Sequence, residues 1–167
     1  MDGNKGGSMT DGSFGVVVAG QVPTGRHKAR ELTLQALYQS DITGEDVHFA
    51  VEQLSEENRG GHVDLGYFQK IATGVWERMG ELDQWISRAA DNWSVQRIAT
   101  IDRNVLRQAV FELMTEPGLD MRVIISEAII LSKRYGDKKS GAFVNGVLDR
   151  LAREVRPQKD GRVERGE

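Results

Sequence analysis

The sequence predicts an all-α protein of about seven helices, and three observations carry that expectation. Apolar residues recur at spacings of three and four from Gly25 to Val155. No alternating apolar–polar stretch of useful length appears within residues 25–156. The periodic segments are separated by Gly, Asn and Pro, the residues that stop helices. At 167 residues the chain fits one domain that can bury a substantial core.

Each element follows from its own pattern. Residues 26–40 carry Ala29, Leu32, Ala36 and Leu37 at helical spacing, with Leu34 and Tyr38 beside them. Residues 45–57 predict a short acidic helix around Phe49 and Leu54, ended by Asn58-Arg59-Gly60-Gly61. Residues 64–91 read as two helices, one with Leu65, Phe68, Ile71 and Val75, the next with Leu82, Trp85, Ile86 and Ala89. Residues 100–115 give the cleanest stripe, Ile101, Val105, Ala109 and Leu113, widened by Leu106 and Val110. Thr100 is placed to cap that helix, and Asp102 in its first turn suits the helix dipole. Pro117-Gly118 stops it, and residues 121–135 resume with Ile124, Ala128, Leu131 and Tyr135. After Gly136 the last helix shows Phe143, Val144, Val147, Leu148, Leu151 and Val155, and Pro157 ends it.

The flanks differ in composition. Residues 1–24 are Gly-rich and read as a flexible leader, with Gly7-Ser8-Met9 resembling a junction before a native start at Met9. The apolar run Val16–Ala19 is too short for a secretory signal. Residues 157–167 read as a disordered, solvated tail. No run approaches the ~20 apolar residues of a membrane span. The chain has no Cys, so disulfides and thiolate zinc sites are excluded and a reducing compartment, the cytoplasm, is expected.

A formal net charge of -3 argues against indiscriminate binding to nucleic acid but leaves room for a local basic face. Residues 41–57 hold six acids and no base. Two stretches are basic: Arg26, His27, Lys28 and Arg30, then Lys133, Arg134, Lys138 and Lys139. A solvated face is the plain explanation of each unless folding brings them together. For catalysis the sequence offers no positive sign. His27, His48 and His62 are scattered, none at the i, i+4 spacing of a helical metal pair, and no carboxylate pair stands out. No catalytic residue, metal site or cofactor is expected.

The segment Gly136–Gly146 reads GDKKSGAFVNG, and its first six residues fit G-x-x-x-x-G, the first half of a phosphate-cradling P-loop. Ala142 and Phe143 stand where that loop needs Lys and Ser or Thr, and a helix pattern precedes it instead of a strand. Nucleotide hydrolysis is therefore not expected. What remains is a helix start that Ser140 can cap, with free N–H groups and two cations, Lys138 and Lys139, for a phosphate oxygen. Phe143 either packs in the core or stacks on an unpaired base.

Three motifs in order then carry a resemblance. Arg30–Tyr38 (RELTLQALY) resembles the A-R-x-x-x-x-Q-A-L-Y opening of the bacterial NusB family. IDRNVLRQAVFEL (101–113) is similar to its central I-D-R-x-[IV]-L-R-x-A-x-x-E-L helix. VIISEAIILSKRYGDKKSGAFVNGVLDRL (123–151) is similar to its closing signature, with Ser126 for the usual Asn and Ser132 for the usual Ala. The match spans about residues 25–156. It implies two packed three-helix bundles linked by the N-terminal helix, and no enzyme activity. It also implies binding of boxA RNA from ribosomal operons, together with the ribosomal protein NusE, RNA polymerase and other Nus factors. Carried over by position, the RNA face is Arg26, His27, Lys28, Arg30 and Tyr38, continuing through Lys138, Lys139, Ser140, Phe143 and Asn145. Asp102 and Arg103 are the implied protein-partner residues, while Arg107, Glu112 and Glu127 equally suit ion pairs between the bundles. Two rivals accompany this expectation: the RNA-binding module of a ribosomal-RNA cytosine methyltransferase, and a homodimeric helical scaffold. Homodimerisation is compatible with each.

Overall fold

The computed structural model describes residues 25–157. The expected leader and all of the expected tail but Pro157 lie outside the described residues. Among the described residues the chain forms seven α-helices and no strand: α1 (Arg26–Thr43), α2 (Val47–Glu57), α3 (Leu65–Glu77), α4 (Met79–Ala89), α5 (Thr100–Thr115), α6 (Met121–Tyr135) and α7 (Ser140–Val155). One 3-10 turn, Val95–Arg97, lies between α4 and α5. The all-α expectation holds, with helix ends within a few residues of those predicted. Local chemistry sets several ends. Asp46, Asp64 and Asp120 each accept a backbone N–H in the turn they cap. Gly44, at φ 74°, ends α1 in the left-handed region and donates its N–H to the Ser40 carbonyl.

Helices α1, α2 and α3 pack on one another, as do α5, α6 and α7, with α4 against α5 and α7. Both α1 and α3 also rest on α5, so α5 joins the two bundles. The core runs through the join: Leu37, Phe68 and Ile71 on one side, Leu106, Ile124, Leu131 and Leu148 on the other, all nearly inaccessible to water. Each such side chain contributes about 1.5–3 kcal/mol of burial. Close approach is needed at Gly74 of α3, where an added Cβ would lie 2.1 Å from the Phe111 ring of α5. Ser132, one of the two departures from the family pattern, is buried and satisfied by donating to the Ala128 carbonyl.

Two aromatics read with the apolar stripes, Phe49 and Tyr135, are instead exposed, as is Tyr38 beside the α1 stripe. The apolar stripes are narrower than their composition suggests. On α2 the buried set is Val47, Ala50, Val51 and Leu54, which turns Phe49 outward. Tyr38 falls one position past the Leu34–Leu37 face, and Tyr135 is the final residue of α6, beyond Leu131. Thr100 is the first helical residue of α5 rather than its cap, which is Ala99.

Candidate nucleic-acid interface

The basic start of α1 proves to be largely neutralised. Arg26 lies 4.3 Å over the Tyr67 ring and 3.8 Å from Asp64. His27 bridges two acids, with Nδ1 2.6 Å from Glu127 and Nε2 3.2 Å from Glu31. Lys28 reaches Glu31 at 3.4 Å. Arg30, expected at the surface with them, is buried: it is 4% exposed and clasps Glu112, which also accepts the Tyr67 hydroxyl. A guanidinium locked to a carboxylate inside the protein cannot reach a phosphate. Its role is structural, tying α1 to α5.

Three cations without an acidic partner lie at the end of α6 and in the loop after it. Lys133, Lys138 and Lys139 are exposed and make no ion pair among the described residues. The loop carrying the last two is built by Asp137, whose Oδ1 accepts from the backbone N–H groups of Lys139 (2.7 Å) and Ser140 (3.1 Å). The expected cap at Ser140 is therefore corrected: Ser140 is the first residue of α7, Lys139 precedes it as the cap position, Asp137 holds the N–H groups of both, and the Ser140 hydroxyl turns back to accept the Asp137 N–H. Ser140 is 1% exposed and cannot touch a ligand through its side chain. Its hydroxyl fills the space beside Gly136, where an added Cβ would lie 2.3 Å from it. Because a carboxylate already occupies these helix-start donors, attraction for phosphate rests on the lysines. Gly141 lets the aliphatic stem of Lys133 lie close, with an added Cβ only 3.0 Å from its Cγ, so a third cation borders the loop.

Arg134 connects the two regions. It donates to Glu31 at 2.5 Å, pinning the end of α6 to the outer stripe of α1. That stripe runs Lys28, Glu31, Gln35, Tyr38 at helical spacing, which puts Tyr38 on the side where Arg134 lands. Tyr135 sits beside it, 5.4 Å under the Arg134 guanidinium. Phe143 is half-buried against the core, and Asn145 is exposed. Arg134, read from the sequence only as part of a basic stretch, and Tyr135, read only as part of the α6 stripe, thus join the candidate surface; the Lys-Arg-Tyr triplet ahead of Gly136, cationic and aromatic at a helix end, is the available signal.

At the start of α5 the two residues implied as partner contacts are largely covered. Asp102 is 6% exposed, and its Oδ1 has no hydrogen-bond partner. Burial pushes its carboxyl above the usual carboxylate range, opposed by the Ser140 hydroxyl and reinforced by the Asp137 charge. Arg103 is drawn to Asp41 of α1 at 3.0 Å. The same Asp41 accepts from Asn104, and Arg107 holds Asp83 of α4 at 2.7 and 2.9 Å. Arg107, Glu112 and Glu127 thus form ion pairs between helices, with Asp83, Arg30 and His27 respectively.

His27 carries a pH dependence. Its hydrogen bond to Glu127 raises its pKa above the ordinary 6.5; partial burial opposes this, and the Glu127 and Glu31 charges add to the rise. A raised folded-state pKa means that its stabilisation is complete below 6.5 and is lost as pH climbs through the folded value. Melting temperature should therefore fall as pH rises from about 6 toward 8, and this slope should flatten in His27→Gln. An equal slope in parent and variant would assign the effect to another group.

Fold and surface together define a helical two-bundle protein with a loop whose cations are unpaired among the described residues, preceded by the exposed Tyr135. Among the described residues no cluster of His, Asp or Glu is placed to hold a metal ion. No helix there is long and apolar enough to cross a membrane. The chain belongs to the NusB family, whose model matches residues 27–153. It is 40% identical over 140 residues to a protein of Sorangium cellulosum named "Transcription antitermination protein NusB", covering 84% of this chain and 96% of that one. Among solved structures, NusB of T. maritima superposes with a TM-score of 0.71 at 37% identity, over 77% of this chain and 91% of that one. A second, described as antitermination factors NusB and NusE in complex with dsRNA, gives 0.70 at 28% identity, over 77% and 96%.

Proposed function

We propose that this chain is a transcription antitermination factor that acts without a catalytic step in the cytoplasm. It binds boxA RNA of ribosomal operons together with NusE, and joins them to RNA polymerase. The observation that carries this is the cation cluster Lys133, Lys138 and Lys139, unpaired among the described residues, with Tyr135 just ahead of the loop and Phe143 in the first turn of α7, while Tyr38 is exposed on the α1 stripe that Arg134 reaches. Cations release counterions from phosphates, and aromatic rings stack on splayed bases. The solved relative in complex with NusE and dsRNA supports NusE and RNA as the ligand classes. Within the face, Arg26, His27 and Lys28 contribute from α1 and Asn145 from α7. Arg30 and Ser140 leave it because they are buried, and for the protein partner Arg103 is retained while Asp102 is withdrawn.

A gel shift with boxA RNA, with and without NusE, tests this. A shift that strengthens with NusE and weakens steeply between about 50 and 200 mM salt is expected. No shift under either condition would refute the function. A solution mass measured alongside shows whether a homodimer forms and whether RNA dissociates it.

A further inference from the structure

We propose that Glu31 is an internal stand-in for phosphate, a carboxylate that occupies cations of the RNA face and so suppresses binding of arbitrary RNA. This rests on the RNA-binding function above and adds a specificity-determining residue to it. Glu31 lies beneath the surface, with its side chain 7% exposed, yet three half-exposed cationic groups converge on it from two helices. Lys28 approaches at 3.4 Å and His27 Nε2 at 3.2 Å from α1, and Arg134 Nη1 at 2.5 Å from α6. Their side chains are 49%, 45% and 55% exposed, so each can also reach outward. A cluster of donors around a single anion is what a phosphate oxygen would otherwise assemble. With the second acid, Glu127, on the other face of His27, the patch is close to electroneutral, although the sequence there reads as strongly basic.

The consequence is selective. A buried charge is poorly screened, so Glu31 repels any phosphate that approaches Arg134 or Lys28, whatever its sequence. Contacts to bases, through Tyr38, Tyr135 or Phe143, do not feel that penalty. RNA that makes the base contacts still binds, and RNA offering phosphates alone is disfavoured.

The test compares the full chain with Glu31→Gln, which keeps size and hydrogen bonding but removes the charge. The probes are a random-sequence single-stranded RNA and boxA RNA, each titrated across a salt series. Glu31→Gln should bind random RNA about 5–10-fold more tightly at low salt, with log K falling more steeply against log salt by roughly 0.7 for each additional phosphate neutralised. The boxA-to-random ratio should fall. In the background Arg134→Gln most of the gain should vanish, because the freed cation is gone. Equal or weaker random-RNA binding by Glu31→Gln, with an unchanged melting curve, overturns the proposal, as does a gain that persists fully without Arg134. If Glu31→Gln melts early, Glu31→Asp, which keeps the charge, must bind random RNA like the parent. A gain in that variant also overturns the proposal. A parent that binds neither RNA refutes the function itself, and this inference with it.

Discussion

Replacing Lys138 and Lys139 together by glutamate is expected to weaken boxA RNA binding by at least about 100-fold at low salt, with the fold untouched. Both side chains are exposed and have no carboxylate partner among the described residues, so their charge is available to phosphate. The substitution places two acids beside Asp137 and turns the loop from net positive to net negative. Alanine at both positions should have a smaller effect and should lower the salt dependence by about 0.7 for each phosphate no longer neutralised. Because neither lysine touches a buried group, stability should stay within about 0.5 kcal/mol of the parent. A gel shift and a thermal melt on the same samples decide it. RNA bound as tightly by the double glutamate variant as by the parent would remove the loop from the interface.

The opposite profile is expected for Arg30. Arg30→Ala leaves Glu112 buried at 1% exposure with only the Tyr67 hydroxyl as a partner, and should cost about 3–5 kcal/mol of stability. For a domain of this size that lowers the melting temperature by about 10 °C or more. Glu112→Gln should lose a similar amount, since Arg30 would then be the uncompensated charge. Replacing Arg30, Glu112 and Tyr67 together by Met, Leu and Phe should recover most of the loss, because a buried ion pair is seldom more stable than an apolar packing of equal volume. RNA binding, measured well below the melting point, should change little. A variant that keeps its melting temperature but loses RNA would return Arg30 to the binding face.

The contrast between these two sites shows how far residue type alone can be read. Arg30 and Lys138 are both basic residues within motifs that resemble the family's, and on paper they are equivalent. They differ in what lies opposite them: Glu112, 82 positions away, for one, and solvent for the other. The same holds for Ser140 and Asp137. Either suits holding the N–H groups at the start of α7 by composition, and the direction of the Ser140 hydroxyl selects Asp137. Asp102 suited an exposed helix start by its position in the first turn. Packing beside the loop that holds Asp137 and Ser140 covers it.

Helix number, helix order and most boundaries were determined by the sequence alone, because helical periodicity and stop residues act within a few positions along the chain. The absence of thiol chemistry and the family were equally legible, the former from composition and the latter from three motifs in register. Tertiary structure alone decided which charges are free. Ion pairing joins residues far apart in sequence: Arg30 with Glu112, His27 with Glu127, Glu31 with Arg134. A cation's availability depends on the distance to its nearest acid in space, and a linear pattern does not contain that distance.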